Sequence, residues 1–263
     1  MAEALLLRKD ADAVATLTLN DPGRLNALSV AMLAALQDEL DRLVDDGSVR
    51  VVVLRGAGKA FCAGHDLREM SAARQSEDGG RGFLEALFAQ CSRLMTTLPR
   101  LPQPVIAQVQ GIATAAGCQL VASCDLAVAA EGTRFGVNGV NIGLFCSTPM
   151  VALSRNIGRK AAFELLTTGE FVEATEARRL GLVNRVVAPA ALSAETRALA
   201  ATIAAKLGPV VRIGKRAFYE QAEMTLADAY AHTGAVMVAN MLREDTAEGV
   251  DAFLAKRAPR WSQ

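Results

Sequence analysis

Phe61-Cys62-Ala63-Gly64-His65-Asp66-Leu67 and Gly111-Ile112-Ala113-Thr114-Ala115-Ala116-Gly117-Cys118-Gln119-Leu120 decide the reading of this chain. Each is a turn of small residues that follows an apolar run, residues 49–54 before the first and 105–109 before the second. Small side chains let backbone N–H groups come close to a ligand. Two such turns aimed at one point can offer a pair of donors to a developing oxyanion, such as that of a thioester enolate.

The surroundings of the turns read as alternating strands and helices. Residues 13–20 set Val14, Thr16 and Thr18 against Ala15, Leu17 and Leu19, the period of a strand. A turn at Asp21-Pro22-Gly23 follows. Ser29 then caps a helix with Leu33, Leu36, Leu40 and Leu43 on one face. The unbroken apolar run 49–54 predicts a strand buried on both faces, and strand–helix–strand in this order implies a parallel crossover. Residues 71–82 are polar and glycine-rich, the composition of a mobile loop, and a helix is expected over 83–98. Pro99, Pro102 and Pro104 break the chain before a strand at 105–109. A short helix to Ser123, a strand at 126–130, helices at 159–167 and 175–180 and a short strand at 182–187 follow the second turn. Ser147-Thr148-Pro149 reads as a helix start, a hydroxyl cap before proline. Beyond Pro189 only helical patterns occur, at 190–207, 209–220, 226–242 and 246–256. The expected organisation is therefore an α/β core over residues 1–190 and a helical region over 191–263.

Composition narrows the class. Of 263 residues 51% are hydrophobic but only 5% aromatic, so the core is built from aliphatic side chains. Net charge is zero, which argues against a nucleic-acid partner. The five cysteines are odd in number and sit in apolar contexts, the pattern of a reducing compartment. With two histidines and no Cys-x-x-Cys, no metal site is expected. Residues 1–10 lack a basic region ahead of a long apolar run and are too acidic for a transit peptide. The expected location is cytoplasmic, or the mitochondrial matrix in a eukaryote. No apolar run is long enough for a membrane span.

The chain resembles the crotonase, or enoyl-CoA hydratase/isomerase, family along nearly its whole length. Residues 20–28 resemble its N-terminal signature, 61–70 its first oxyanion loop, 109–125 its second, and 169–187 and 248–257 its later helices. The run Gly139-Val140-Asn141-Ile142-Gly143-Leu144-Phe145-Cys146-Ser147-Thr148-Pro149 is similar to one branch, the enoyl-CoA hydratase domain-containing protein three type. The resemblance implies a spiral of ββα units with C-terminal helices that pack between subunits in trimers or dimers of trimers. It implies an acyl-CoA ligand of fatty-acid metabolism and no cofactor beyond that coenzyme A thioester. By position, the two oxyanion-hole N–H groups fall to His65 and Ala116, with Gly117 permitting the turn. Arg24, Leu25, Ala63, Asp66 and Leu67 would hold the adenine and pantetheine parts. Phe253 and Lys256 match a C-terminal aromatic and a lysine that meet the nucleotide end. Their i, i+3 spacing places them on one helix face, where an ammonium can pair with a phosphate. An ordinary amphipathic helix, with Phe253 buried and Lys256 solvated, accounts for the same spacing.

The proton-moving groups of the family are missing. The two glutamates that the family's hydratases, which are lyases, use fall at Gln119 and Gly139. An amide can hold a water but does not exchange a proton near neutrality. General acid–base groups contribute roughly 10²–10⁴-fold each, so hydratase activity is expected to be weak or absent. What remains suits chemistry that needs mainly the oxyanion hole, such as decarboxylation or thioester cleavage, or else a non-catalytic acyl-CoA-binding or regulatory role. His65 is expected to act through its backbone, Asp66 to cap a loop, and Cys118 and Cys146 to be inert. Asn141, polar in an apolar setting, is the best candidate to meet an acyl group, although local backbone bonding explains it equally.

Overall fold

The computed structural model describes residues 4–261. A six-stranded sheet runs in the order β1 (Leu6–Ala11), β2 (Val14–Leu19), β3 (Val51–Gly56), β4 (Val105–Val109), β6 (Leu126–Ala130) and β9 (Arg185–Val187). Only the β1–β2 pair is antiparallel; every other neighbour is parallel, as the crossover pattern predicts. A small second sheet joins β5 (Ile112–Thr114), β7 (Arg134–Gly136) and β8 (Phe171–Glu173). The helices are α1 (Val30–Val44), α2 (Leu67–Ala73), α3 (Arg81–Arg100), α4 (Ala116–Ser123), α5 (Pro149–Asn156), α6 (Arg159–Thr168), α7 (Ala174–Leu180), α8 (Leu192–Ala204), α9 (Gly208–Gln221), α10 (Leu226–Met241) and α11 (Glu244–Leu254). Over β4–β5–α4 and β6–β7–α5 the chain adds a strand to the large sheet, a strand to the small one and then helix, which is the ββα spiral implied by the resemblance.

Burial explains the order. Ser29 accepts the Met32 N–H at 3.1 Å and starts α1, whose Leu33, Leu36, Leu40 and Leu43 are all buried. Val52 and Leu54 of β3 face this core, while Val51 and Val53 face a second one closed by Leu192, Ala200 and Ala204 of α8. The continuous apolar run of β3 is thus covered on both sides. A buried ion pair then fastens α9. Lys215 Nζ lies 2.7 Å from Asp125 Oδ2 and also donates to the carbonyls of Leu98 and Gln103, both at 2.9 Å. Tyr219 donates to the other Asp125 oxygen at 2.8 Å. Each charge is compensated by hydrogen bonds, the condition under which buried ions are tolerated.

Several local expectations are corrected. Strands β1, β5, β7 and β8 carry no readable alternation; the last three have only three residues each and gain their pairing from the tertiary fold. Residues 71–73 complete α2 rather than opening a loop. Beyond them Asp78 ties the turn together, accepting from Gly80 N–H at 2.9 Å and Gly82 N–H at 2.8 Å. Pro99 lies inside the last turn of α3 instead of ending it. The start of α5 keeps its proline, but Thr148 makes no side-chain cap and Ser147 Oγ turns back to Phe145 O at 3.4 Å. The strand expected over 182–187 pairs only at Arg185–Val187.

Candidate active site

The first turn is held by the segment that precedes α1. Asn26 is fully buried and donates its amide to Ala57 O at 2.9 Å and Ala60 O at 2.8 Å, while its oxygen accepts the Asp21 N–H at 3.0 Å. The backbone continues the zip: Ala63 N–H to Leu25 O at 3.0 Å and Leu28 N–H to Gly64 O at 2.7 Å. Leu25 and Asn26 adopt the left-handed conformation, at φ 52° and 55°. Non-glycine residues rarely adopt it, and here the surrounding bonds hold it. Asp66 accepts the Arg68 N–H at 2.9 Å and caps α2, as expected of it. Its other oxygen lies 3.3 Å from Arg24 Nη1.

The second turn is laid onto the first. Thr114 N–H donates to Cys62 O at 3.1 Å, and Cys62 bridges Ala113 in parallel. A side chain on Gly117 would run into the Cys62 carbonyl, so only glycine permits this approach. Gly64 stands at φ +89°, and a Cβ there would lie 3.2 Å from the Ala116 nitrogen. Ala115, between them, opens α4 at φ 50° and ψ −121°, a conformation that costs on the order of 1–3 kcal/mol and persists only where its neighbours enforce it. Among the described residues, neither the His65 N–H nor the Ala116 N–H has a hydrogen-bond acceptor. The structure therefore brings together two turns, and the His65 and Ala116 N–H groups are among the unpartnered donors on them.

The side chains around them are nearly all uncharged. His65 Nδ1 lies 3.3 Å from Leu28 O, which can only accept, so Nδ1 carries the proton and Nε2 is a bare, buried acceptor. Desolvation lowers the His65 pKa below the usual histidine value, despite the Leu28 carbonyl and Glu69, so the ring is neutral near pH 7. Gln119 is 5% exposed, and its Oε1 has no partner. An unsatisfied buried amide costs about 1–3 kcal/mol. Burial pushes the Cys62 and Cys118 thiols up to about 12 and raises Cys146, so all three are protonated and inert as nucleophiles. Gly139 is not merely an empty position. A side chain there would overlap the Leu144 carbonyl and come within 2.9 Å of Cys146 Sγ. The Leu144 N–H bonds back to Gly139 O at 3.0 Å, closing the loop over it.

Other expected site residues are placed less simply. Leu25 and Ala63 meet through their backbones at the first turn, and Leu67 opens α2 with 53% of its surface exposed. Asn141 lies in a 3-10 helix, Asn138–Ile142, not a strand, and donates to Gly169 O at 3.2 Å. The local backbone bond thus occupies its amide. Phe253 is 81% exposed, contrary to the amphipathic-helix alternative. The shared helix face is also corrected: α11 ends at Leu254, and Lys256 sits beyond it at φ 52°, its N–H on Phe253 O at 3.1 Å. Asn26 and the Thr114–Asn138 pair, 2.6 Å apart, were not foreseen. An asparagine set between Leu25 and Ala27-Leu28 was the available signal for the first; the second joins residues far apart in the chain and left none. Among the described residues no cluster of metal-ligating side chains occurs.

Two outcomes follow from this geometry. Gly139→Glu is expected to lose about 1–3 kcal/mol in denaturant unfolding, the usual cost of overpacking, and to gain no hydration of crotonyl-CoA. Full stability or a gain of turnover would contradict the closed loop. Because the His65 pKa is lowered on folding, its contribution to stability is present above 6.5 and is lost as pH falls through the lower folded value. The urea midpoint of wild type is therefore expected to fall between pH 7 and pH 5 more steeply than that of His65→Phe; parallel profiles would contradict a buried neutral ring.

Comparison with known proteins agrees with this architecture. The enoyl-CoA hydratase/isomerase family model matches residues 9–263. The chain is 45% identical over 251 residues to human enoyl-CoA hydratase domain-containing protein 3, mitochondrial, covering 95% of this chain and 81% of that one. A crystal structure of enoyl-CoA hydratase from Mycobacterium smegmatis is 57% identical, with a TM-score of 0.95 over 99% of this chain and 100% of that one. The crystal structure of the human domain-containing protein 3 gives a TM-score of 0.93 at 43% identity, over 98% of this chain and 100% of that one. A family model spanning the spiral and the C-terminal helices, with relatives of this identity, means that the chain belongs to the enoyl-CoA hydratase/isomerase family.

Proposed function

We propose that this protein binds acyl-CoA thioesters and stabilises a thioester oxyanion with the backbone N–H groups of His65 and Ala116, with little or no hydratase activity. The observation that carries this reading is the pair of unpartnered N–H groups on two turns packed against each other. Removing one such donor typically costs ~10²–10³-fold in rate, so a retained pair can support chemistry in which the thioester carbonyl gathers charge. Decarboxylation and thioester cleavage are of that kind. In this reading Arg24, Leu25, Ala63, Asp66 and Leu67 line the path of the coenzyme, with Arg24 the exposed cation near its phosphates. Phe253 and Lys256 approach its nucleotide end, Gly117 shapes the turn, and Gln119, Gly139 and Asn141 lie toward the acyl group. No resident cofactor or metal is needed.

The filled space at Gly139 favours a second reading, a non-catalytic acyl-CoA-binding or regulatory protein. A side chain at 139, where the family resemblance sets the second glutamate, would meet the Leu144 carbonyl, so on this reading no acid acts there.

We also propose assembly as a trimer or dimer of trimers. Leu226, Tyr230, Met237, Val238, Met241 and Leu242 form a broad exposed apolar stripe on α10 and its C-terminal end, more than an isolated surface helix sustains. Further copies of this chain are the cover that the family resemblance favours for this stripe.

Calorimetry is expected to show binding of acetyl-CoA and butyryl-CoA, with crotonyl-CoA absorbance unchanged above background. No heat from any thioester would refute acyl-CoA binding; turnover within about tenfold of a family member bearing both glutamates would refute the weak-hydratase claim. Light scattering is expected to give about three or six chain masses, and a monomer at micromolar concentration would refute the assembly.

A further inference from the structure

We propose that a clasp beyond α11, made by Glu248 with Arg257 and the Arg260 backbone, positions Lys256 for the phosphates at the nucleotide end of the coenzyme. The inference rests on the acyl-CoA reading above, in which Lys256 approaches that end, and adds the residues that hold the lysine in place.

Lys256 stands where the end of a helix favours glycine. Its N–H bonds to Phe253 O at 3.1 Å and the Arg257 N–H to Ala252 O at 3.0 Å, the paired bonds that close a helix around a left-handed residue. Helices α6 and α7 end on Gly169 and Gly181, at φ 66° and 95°. At the end of α11 the left-handed residue is a lysine, at φ 52°. A side chain in that conformation is disfavoured and persists where its surroundings over-determine it. Lys256 is exposed, and among the described residues its ammonium makes no hydrogen bond or ion pair. Glycine would serve the turn better, so the lysine is there for its cation.

The surroundings that hold it fold back along α11. Both Glu248 oxygens accept from the Arg257 guanidinium, at 2.7 and 2.8 Å, and Oε1 also accepts the Arg260 N–H at 2.7 Å. Trp261 then lies over Gly249, where a Cβ would come within 3.1 Å of the indole ring. The segment from Arg257 to Trp261 is thus strapped to the helix, with Lys256 at the bend. Isolated exposed ion pairs contribute little, but a two-pronged pair with a third bond fixes geometry. Hydrogen bonds from Arg257 and the Arg260 N–H lower the Glu248 pKa to about 2, so the clasp is charged throughout the neutral range. Plain electrostatics predicts the opposite effect from the clasp. Removing Glu248 takes a negative charge away from a negative ligand and would tighten binding; loosening the turn that carries Lys256 weakens it.

Calorimetry of the full-length protein with butyryl-CoA and S-butyryl-4′-phosphopantetheine, which lacks the phosphoadenosine end, tests this. Lys256→Met is expected to weaken butyryl-CoA about fivefold or more and the shorter thioester by less than about twofold, the loss of one charge-assisted contact. Glu248→Gln, which sets an amide NH₂ against the guanidinium, is expected to weaken butyryl-CoA about threefold through lost preorganisation, again sparing the shorter thioester. In the Lys256→Met background the same change is expected to have no further effect, since Glu248 acts through the lysine. Unchanged or tighter butyryl-CoA binding by Glu248→Gln would overturn the proposal. So would equal weakening of both ligands, or equal weakening with and without Lys256. If Lys256→Met leaves butyryl-CoA binding unchanged, the placement of Lys256 at the nucleotide end fails first and the proposal falls with it. If wild type binds neither thioester, the acyl-CoA reading itself fails and takes the proposal with it.

Discussion

The rest of the site depends on one close contact, the packing of Gly117 against the carbonyl of Cys62. Without a side chain at 117 the helix α4 can begin where the first turn passes, and the Ala116 nitrogen comes to lie beside Gly64. Everything around this contact holds the two turns at that separation. Asn26 anchors the first turn from below, the bridge between Cys62 and Ala113 fixes the register, and Thr114 N–H spans the two strands' ends. The strained backbone of Ala115 is a consequence: the chain must reverse within one residue to present Ala116 while leaving Thr114 in β5. Burial of β3 and β4 on both faces fixes where the two turns emerge, so the spiral core is the frame of the contact rather than an independent feature.

This geometry separates two parts of thioester chemistry that are easily treated as one. Stabilising charge on a carbonyl oxygen needs fixed dipoles, and the backbone supplies them at no cost in reorganisation. Moving a proton needs a titratable group with a suitable pKa. Around these turns the candidates are a neutral histidine, inert thiols, a glutamine and Glu69, whose carboxylate accepts the Val30 N–H at 3.0 Å. Asp66 is occupied by the α2 cap and by Arg24. At residue 139 the loop excludes a side chain, because Leu144 O fills the space one would need. Placing an acid at 139 would therefore have to move the loop that carries Cys146.

Much of this was legible in the chain itself, and the reason differs from place to place. The α1 leucines and the apolar runs of β3, β4 and β6 are periodic signals that survive without context. The two turns announce themselves because small residues in sequence have few other uses. Gln119 and Gly139 were visible as absences only against a family pattern. Strands of three residues, such as β5 and β7, exist because their partners hold them, and no local pattern encodes that. The misplacement of Lys256 has a similar cause: i, i+3 spacing predicts a shared face only if the helix continues, and α11 stops at Leu254. Side-chain bonding was the least legible layer. Nothing in the sequence distinguishes Gln119 from Gln103, though one is unpartnered and the other ties α1 to the approach to β4.

The uncharged lining also bears on the strength of the donors that remain. In a family member with carboxylates beside the reacting carbons, a negative charge stands near the oxygen that is becoming negative, and part of the backbone stabilisation offsets that repulsion. Coulomb energy between unit charges about 4 Å apart is ~4 kcal/mol at an effective dielectric of 20. In the proposed reading, with glutamine at 119 and glycine at 139, the His65 and Ala116 N–H groups face a developing oxyanion without a like charge at either position. The imidazole of His65 does not supply a counter-charge, since its burial keeps it neutral. In the reading proposed above, such a site holds an anionic carbonyl and has no acid at 119 or 139 to return it to a protonated product. That reading favours reactions in which the charge arises by bond cleavage within the substrate over those that begin with proton abstraction.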